Sequence, residues 1–386
     1  MLKTKQSKFY FVPSIDFGQV DFQIHEVSKE ILLLKRLRPL NLNEELKKFE
    51  KDETYNPQLQ YETHEELVPD LLKKLENIKT DDSNLGQIFE LRRQELINQV
   101  RLIEMLGTQE VTEIGQLLYP RPTQEELEEA RKLKKNYKYY QTKDKKRITA
   151  KEAAKKFEDI LKKYKLNDWK VVIKSSMVSD ISVNKSNNVF IKSSAKFSEQ
   201  RINKLIAHEI ETHVLTAQNG KKQPYRIFQD GTSNYLTTQE GLAVYNQELA
   251  LHIYPHNYFA AGNTLGTDIL LENSFAESVN KLKEIGFAKS KATTLALKTK
   301  RGLSDTSKKG GIAKQAIYFR GALKIKKYLE SGGKLEKLYI GKIDIDLLNK
   351  IEKIEGNKIY INHNEINICK FYKDSFFSRI NENKFG

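Results

Sequence analysis

The sequence predicts an α+β fold with a mainly helical N-terminal part and a second part built around a small sheet and one central helix. Apolar residues recur at helical spacing through residues 17–148. A further amphipathic helix is indicated over residues 198–220. Between them, three runs have the composition of short strands: 169–175, 181–184 and 189–193. We therefore divide the chain into a helical region, 1–148, and a second domain, 149–386.

The helical region begins with an element whose apolar positions are expected to share one face: Ile24, Val27, Ile31 and Leu34. Further helices are expected over three ranges: 42–50, 64–79 and 85–106. Thr123 and Glu126 form a capping-box pattern that opens a charged helix through Lys134. This half shows no pattern of metal ligands or nucleophiles, so we expect it to be a scaffold or a partner surface.

The junction between the two regions is basic and aromatic. The run 132–147 combines many lysines with tyrosines, a composition that can bind single-stranded nucleic acid. Such a run is more commonly a solvated helix end and linker, so nucleic acid is not the expected partner. Thr149 and Glu152 then form a second capping box, which predicts a new helix to about Leu166.

The composition restricts the compartment and the partners. The chain has 66 Lys and Arg against 51 Asp and Glu, a formal charge of +15. This excess favours acidic partners, although a Lys-rich codon bias explains it equally well. Cys369 is the single cysteine, so no internal disulfide can form. The first residues lack the apolar run of a signal peptide, and no stretch reaches the ~18 apolar residues of a membrane span. We expect a cytoplasmic protein that does not contact membranes.

The predicted central helix, 198–220, is the element on which the functional interpretation depends. Its apolar positions are Ile202, Leu205, Ile206, Ile210 and Val214. Ser198 is a suitable N-cap, and Asn219 followed by Gly220 is a typical stop signal.

Three polar residues in the middle of this helix have the order of a catalytic zinc helix. His208 and His213 would bind the metal, and Glu209 would act on a water molecule. The histidines are five residues apart, which on a regular α-helix turns their side chains roughly 140° apart. A π-type widening within 209–212 would bring them together, and such bulges concentrate at functional sites. Alternatively, Thr212 lies beside His208 and the histidine pair is incidental.

A catalytic zinc site usually has three protein ligands, and Glu240 is the candidate for the third. It lies 27 residues after His213, where a second helix is expected, and Gly241 would let that helix approach closely. Thr237 and Glu240 also match a capping box, so Glu240 could instead cap its own helix. The pattern alone leaves these two interpretations about even.

The two motifs HEIETH and QEGLA, with NGKKQPYRIFQDG between them, resemble the bacterial QEGLA-motif proteins, also described as flavohaemoglobin expression-modulating. Their eukaryotic relatives are the microtubule-associated tyrosine carboxypeptidases, which remove the terminal tyrosine of α-tubulin. The resemblance covers roughly residues 151–321. It implies that His208, His213 and Glu240 hold Zn²⁺ and that Glu209 is the catalytic base.

A small sheet that leads directly into the metal helix is the usual layout of zinc-dependent peptidases. By this analogy the second domain is zincin-like, with the sheet packed on the active-site helix that carries HExxxH. In such enzymes an edge strand holds extended substrate by main-chain pairing, and 189–193 is the strand that we choose for this role.

A carboxypeptidase also needs a cation for the terminal carboxylate of its substrate and a donor for the developing oxyanion. The segment 308–321 resembles the glycine-rich segment that leads into a later helix in this family. From it we choose Arg320 or Lys314 as the carboxylate clamp and Tyr318 as the hydrogen-bond donor. Arg226, in the loop between the motifs, is a further candidate. Each also has an ordinary interpretation as a core tyrosine or a surface cation.

Other polar residues near the motifs are given no role in the chemistry. Pro255 interrupts any helix between His252 and His256, so we expect these histidines in the core or around the ligands. Glu211 is expected to point away from the metal, into solvent or toward the ligating residues.

The remaining chain is expected to be helical over three ranges: 273–286, 292–300 and 311–331. Three further stretches suggest a small C-terminal α/β cap: 338–345, a helix near 347–355, and 358–361.

These patterns favour a zinc metallopeptidase, most simply a carboxypeptidase that trims protein or peptide C-termini with Glu209 as general base. The second interpretation is a zinc hydrolase of other specificity: an aminopeptidase, an endopeptidase or an enzyme with a non-peptide substrate. The third is a regulatory protein that keeps the metal site without catalysis. Glu209 weighs against the third, because a structural zinc site needs no base and usually has four protein ligands.

Overall fold

The computed structural model describes residues 15–136, 147–175, 177, 180–184, 186–251, 257–354, 366 and 368–369. Within these ranges the chain is mostly helical with small sheets, in agreement with the predicted α+β class. The helices before residue 148 are α1 (Phe17–Ile31), α2 (Leu33–Arg36), α3 (Leu42–Lys51), α4 (Leu67–Glu76), α5 (Asn84–Glu104), α6 (Val111–Leu118) and α7 (Gln124–Asn136).

The first predicted helix is correct except at its end. Ile24, Val27 and Ile31 are buried on α1, but Leu34 is 55% exposed. The reason is that Leu32 adopts a left-handed conformation with φ 43°, which ends α1 and starts α2 in a new direction. The apolar face therefore does not continue to Leu34.

Both predicted capping boxes are confirmed. The side chains of Thr123 and Glu126 each hydrogen-bond the other's backbone amide. Thr149 and Glu152 do the same at the start of α8 (Ala150–Lys163). These signals depend on neighbouring residues alone, which is why the sequence reveals them.

The strands form two sheets from β1 (Ile148–Thr149), β2 (Lys170–Lys174), β3 (Ile181–Val183), β4 (Asn188–Lys192) and β5 (Lys196–Phe197). β1 pairs with β5, and the other sheet has the order β2-β4-β3. β4 is parallel to β2 and antiparallel to β3. The prediction that 189–193 is an edge strand is therefore wrong: β4 is central, and its Val189 and Ile191 are fully buried. The edge strand β3 packs against the central helix.

The central helix follows the sheet as α9 (Glu199–Leu205), a π-helix (Ile206–Val214) and α10 (Leu215–Lys221). Ser198 caps it as predicted, because its side chain accepts a hydrogen bond from the Arg201 amide at 3.2 Å. Asn219 and Gly220 lie inside the helix and do not end it. Gly220 instead permits close packing, since a Cβ there would lie 2.1 Å from the Phe228 carbonyl oxygen.

The later helices are α11 (Ile227–Asp230), α12 (Tyr235–Leu251), α13 (Tyr258–Glu272), α14 (Phe275–Glu284), α15 (Lys289–Lys300), α16 (Ile317–Glu330) and α17 (Leu348–Glu352). They confirm the helices predicted within 273–331 and near 347–355. Residues 338–345 do not form a strand. They connect two 3₁₀ turns, Leu335–Tyr339 and Ile345–Leu347, and overlap both. The Lys342 backbone makes one hydrogen bond with Phe228 and one with Thr232. The run 358–361 lies outside the described residues.

One buried apolar core extends across the predicted boundary at residue 148. It includes Val20 of α1 and Phe89 of α5 together with Phe157 of α8 and Ile210 of the π-helix. The division into 1–148 and 149–386 stays a prediction. Among the described residues, no helix combines the length and the apolar character that a membrane span requires.

Candidate metal centre

The π-helix brings His208 and His213 to the same side of the central helix. In a π-helix each amide donates to the carbonyl five residues earlier, and the Leu215 amide does so to Ile210. The two imidazole centroids are 4.9 Å apart, with the ring planes at 82°. The predicted widening is confirmed, and it extends over nine residues rather than the 209–212 turn alone.

Helix α12 brings Glu240 to the two histidines. Glu240 Oε2 lies 3.5 Å from His208 Nε2 and 3.8 Å from His213 Nε2. One ligand atom from each residue lies within 4.8 Å of the other two. In a tetrahedral zinc site with its usual bond lengths, neighbouring ligand atoms are about 3.4 Å apart. The three residues, which we call the ligand cluster, can therefore hold a metal ion.

The surroundings of Glu240 fit a metal ligand better than a helix cap. Helix α12 begins at Tyr235, so Glu240 lies in its second turn rather than at a capping position. The residue is 9% exposed, and Oε2 has no hydrogen-bond partner in the described part of the chain. An unpaired carboxylate oxygen is costly to bury, and a cation in the ligand cluster would satisfy it.

Two glycines determine how closely α12 and α16 approach each other. A Cβ on Gly241 would lie 2.1 Å from the backbone carbon of Gly321, so any larger residue would separate the helices. This confirms the predicted role of Gly241. Tyr318 of α16 lies close enough to Glu240 for the Glu240 charge to raise the pKa of its hydroxyl well above the ordinary value. Tyr318, chosen from the sequence as a donor, therefore lies at the ligand cluster.

Two glutamines of α12 contact the outer nitrogens of the histidines. Gln239 Oε1 lies 3.5 Å from His213 Nδ1 and accepts a hydrogen bond from the Thr216 hydroxyl at 2.7 Å. Gln247 Nε2 lies 3.0 Å from His208 Nδ1. Contacts of this kind orient imidazoles and direct the opposite nitrogen toward a metal.

Burial sets the protonation of the cluster and its neighbour. It lowers the pKa of His208 to about 4 and that of His213 to about 4. Both imidazoles are therefore neutral near pH 7, which is the form that binds metals. Burial also raises the pKa of Glu209 to about 8, and the Glu240 carboxylate adds to the increase. A carboxyl group adjusted in this way is suited to general acid–base chemistry.

Three cations interact electrostatically with one another, and two of them also interact with Glu240. Lys314, in the 3₁₀ turn Lys314–Ala316, and Lys298 of α15 both interact electrostatically with Glu240, and Arg301 lies near the two lysines. Burial lowers the pKa of Lys314 to about 8 and also lowers the pKa values of Lys298 and Arg301. The Arg301 Nε is buried without a hydrogen-bond partner among the described residues.

Of these three cations, which we call the cation group, Lys314 is a residue that the sequence predicted, whereas Lys298 and Arg301 are not. Lys298 and Arg301 are three positions apart near a helix end, and a chain with 66 Lys and Arg has many such pairs. They lie near Lys314 because α15 packs against the turn that carries it. No local signal in the sequence indicates this contact.

Arg320 and Arg226 make contacts outside the ligand cluster, and the choice of either as a carboxylate clamp stays a prediction. The Arg320 guanidinium pairs with Glu126 at 2.6 and 2.9 Å and donates to two backbone carbonyls. Arg226 is exposed at the start of α11, where its amide donates to Asp21 at 2.6 Å. Both residues connect distant parts of the fold.

Glu211 is fully buried, which excludes the first of its two expected positions, in solvent. It accepts hydrogen bonds from the Tyr164 hydroxyl at 2.9 Å and the Cys369 thiol at 3.3 Å. His252, His256 and the tyrosines of the basic run 132–147 lie outside the described residues.

The fold and the site define a class: a mostly helical protein in which a π-helix and a neighbouring helix hold two imidazoles and a carboxylate as a potential metal centre. The chain belongs to the microtubule-associated tyrosine carboxypeptidase family, whose model matches residues 47–364. Membership places it among carboxypeptidase-like hydrolases, and the match covers α4 to α7 of the helical region. Comparison with curated proteins gives no match.

Proposed function

We propose that this chain is a zinc-dependent carboxypeptidase that removes residues from the C-termini of proteins or peptides. The observation that carries the proposal is the convergence of His208, His213 and Glu240 within 4.8 Å of one another, with Glu209 next to the first histidine. Family membership supports the same class of reaction.

The ligand cluster would hold the ion and leave a fourth position open, as catalytic zinc sites do. Zinc, when bound, supplies the Lewis acidity that activates water and polarises the scissile carbonyl. Ligation through each Nε2 requires a proton on each Nδ1. Gln239 already presents its amide oxygen to His213, and Gln247 would present its own to His208 after a half-turn of its amide group.

Glu209 would take the proton of the attacking water and deliver it to the leaving amine. Tyr318 would donate a hydrogen bond to the oxyanion that develops on the scissile carbonyl. The charge of Glu240 raises the pKa of Tyr318 well above its ordinary value, and burial adds to the increase. The phenol therefore keeps the proton that this donation requires.

The cation group of Lys298, Arg301 and Lys314 would bind the α-carboxylate of the last residue of the substrate. Buried cations repel one another and lose hydration, so an anion between them is strongly favoured. Charge-assisted hydrogen bonds to a carboxylate are among the strongest that side chains form. Holding the α-carboxylate beside the ligand cluster would restrict cleavage to the terminal peptide bond.

Charge and cysteine content support a proposal for the class of substrate and for the compartment. The net charge of +15 favours acidic protein or peptide tails as substrates. The single cysteine, Cys369, is buried, and a chain without disulfides suits the cytoplasm.

Digestion of a peptide library by the zinc-loaded protein, followed by mass spectrometry, tests the proposal. We expect loss of single C-terminal residues, no cleavage of the same peptides with amidated C-termini, and cleavage by Glu209→Gln that is slower by about 10²- to 10⁴-fold. Internal cuts would instead indicate an endopeptidase. Bound zinc without any cleavage would indicate a regulatory protein.

A further inference from the structure

A buried hydrogen-bond network lies beside the π-helix and has no part in the proposed chemistry. It consists of Thr212, Asn246 and Tyr339, which are all fully buried. Asn246 Nδ2 donates to Thr212 Oγ1 and to Tyr339 Oη, each at 2.7 Å. We call these three residues the Asn246 network.

Both ends of the Asn246 network terminate on main-chain carbonyls of the π-helix. Thr212 Oγ1 donates to the Ala207 carbonyl at 2.8 Å, and Tyr339 Oη donates to the Glu211 carbonyl at 2.7 Å. Ala207 and Thr212 each directly precede one of the two ligating histidines. The network therefore holds the helix backbone next to both candidate ligands.

The directions of these hydrogen bonds follow from the chemistry of the groups. Thr212 and Tyr339 each have one hydroxyl proton, and each donates it to a backbone carbonyl. Both hydroxyls must therefore accept from Asn246, and only its amide NH₂ can donate. This fixes the orientation of the amide, so removal of any member leaves another member unpaired.

Tyr339 is held against the same helix through its backbone. Its carbonyl accepts from Asn219 Nδ2 at 2.9 Å, and the carbonyl of Ile340 accepts from Gln223 Nε2 at 3.1 Å. Its hydroxyl extends back to Glu211, so Tyr339 braces two separate points of the central helix.

We propose that the Asn246 network imposes the π register and thereby positions His208 and His213 for the metal. A π-helix of nine residues is unusual, because most are single-turn bulges. Relaxation to a regular α-helix would turn the two histidines roughly 140° apart. It would also displace the Ala207 and Glu211 carbonyls and leave buried hydroxyls unpaired, which opposes the relaxation. The network acts through the histidines, so its members are positioning residues, and the inference rests on the proposed zinc function.

Tyr339→Phe tests the network, because it removes one hydroxyl and keeps the ring that fills the core. Zinc affinity, measured by competition with a chelator, should fall about 10- to 100-fold, as it does when groups that orient metal ligands are removed. The absorption spectrum of the cobalt-substituted protein should change. In the metal-free chain, amide hydrogen exchange over residues 206–214 should become faster. Thr212→Val, which removes the other carbonyl link at nearly constant shape, should have the same effects.

Tyr55→Phe is the matched control. Its hydroxyl donates to the buried Glu45 at 2.7 Å, beside a different core cluster, so this variant also loses one side-chain hydrogen bond. Its Tm should fall, while its zinc affinity and its exchange over 206–214 should stay at wild-type values.

Wild-type zinc affinity in both Tyr339→Phe and Thr212→Val would overturn the inference, even if both variants lost stability. A wild-type chain that binds no zinc would contradict the proposed function and, with it, the positioning of metal ligands. The exchange comparison needs no metal and tests the register by itself: unchanged exchange over 206–214 would show that the network does not hold the π-helix.

Discussion

Two helices of similar length, α5 and the central helix, differ in backbone geometry and in the side chains that they bury. α5 is a regular α-helix of 21 residues that buries mainly apolar side chains and pairs Glu90 with the mostly buried Arg93. The central helix changes to π geometry between α9 and α10 and buries polar residues such as Glu211, Thr212 and Asn219. A regular helix follows from its own residues, whereas this irregular one depends on partners from other elements to keep its histidines aligned.

The largest difference in kcat is expected when one carboxylate on each helix is changed to an amide. Glu209→Gln should lower kcat by about 10²- to 10⁴-fold, because it removes the general base. Its zinc content should stay at the wild-type value, since Glu209 is not a ligand. Glu90→Gln in α5 removes the ion pair with Arg93 and disturbs the hydrogen bonds that Glu90 accepts from Thr80 and Gln94, so it should cost about 1–3 kcal/mol of stability at unchanged kcat. Steady-state kinetics and metal analysis measure both variants, and wild-type kcat in Glu209→Gln would refute its role as base.

The cation group is expected to show the next largest effect. Arg301→Met should raise KM by about 10- to 100-fold, because a hydrogen bond to a charged group contributes about 1.5–3 kcal/mol and 1.4 kcal/mol is a tenfold change. Arg320→Met is the control: it breaks the pair with Glu126 and should lower Tm without raising KM. Kinetics on one peptide with a free C-terminus measures the difference. Equal KM values for wild type and Arg301→Met would exclude Arg301 from carboxylate binding.

Two glycines, Gly241 at the contact of α12 with α16 and Gly86 of α5, should give smaller effects that separate activity from stability. A Cβ on Gly241 would lie 2.1 Å from Gly321, and a Cβ on Gly86 of α5 would lie 2.2 Å from the Asp81 carbonyl oxygen. Either Gly→Ala change should cost about 1–3 kcal/mol, measured by chemical denaturation. Only Gly241→Ala should also lower kcat, because it moves Tyr318 away from Glu240. An equal loss of kcat in both would assign the effect to general destabilisation.

The smallest effects are expected from deleting one methyl group in each helix. Ile88 of α5 and Ile210 of the π-helix are both fully buried. Each Ile→Val variant should lose about 0.5–1.5 kcal/mol in denaturation experiments. Zinc affinity should be unchanged in both, because hydrogen bonds rather than apolar packing hold the π register. A selective loss of affinity in Ile210→Val would show that packing also sets the register.

The features that the sequence predicted correctly depend on residues close together in the chain or on a dense motif. The Thr149 capping box requires only four consecutive residues, and the π widening follows from the five-residue spacing of His208 and His213. Gly241 was assigned to close packing because it lies next to the candidate ligand Glu240. In each of these cases the signal lies in neighbouring residues, although distant contacts complete the π-helix and the close packing at Gly241.

The features that the sequence missed depend on contacts between distant segments. Arg320 resembles a free cation in the sequence, but its partner Glu126 lies 194 residues away. β4 has the composition of an edge strand as much as of a central one, and only the pairing with both neighbours decides the question. Lys298 and Arg301 become functional candidates only because α15 packs against the turn that carries Lys314.

The most direct test of the central claim is the zinc stoichiometry of purified wild-type protein, Glu240→Ala and His213→Ala after dialysis at equal free zinc. We expect one zinc per wild-type chain and less than stoichiometric zinc in both variants, because each removes one of three ligands contributed by two helices. Wild-type protein without zinc, or full zinc content in Glu240→Ala, would contradict the assignment of the ligand cluster.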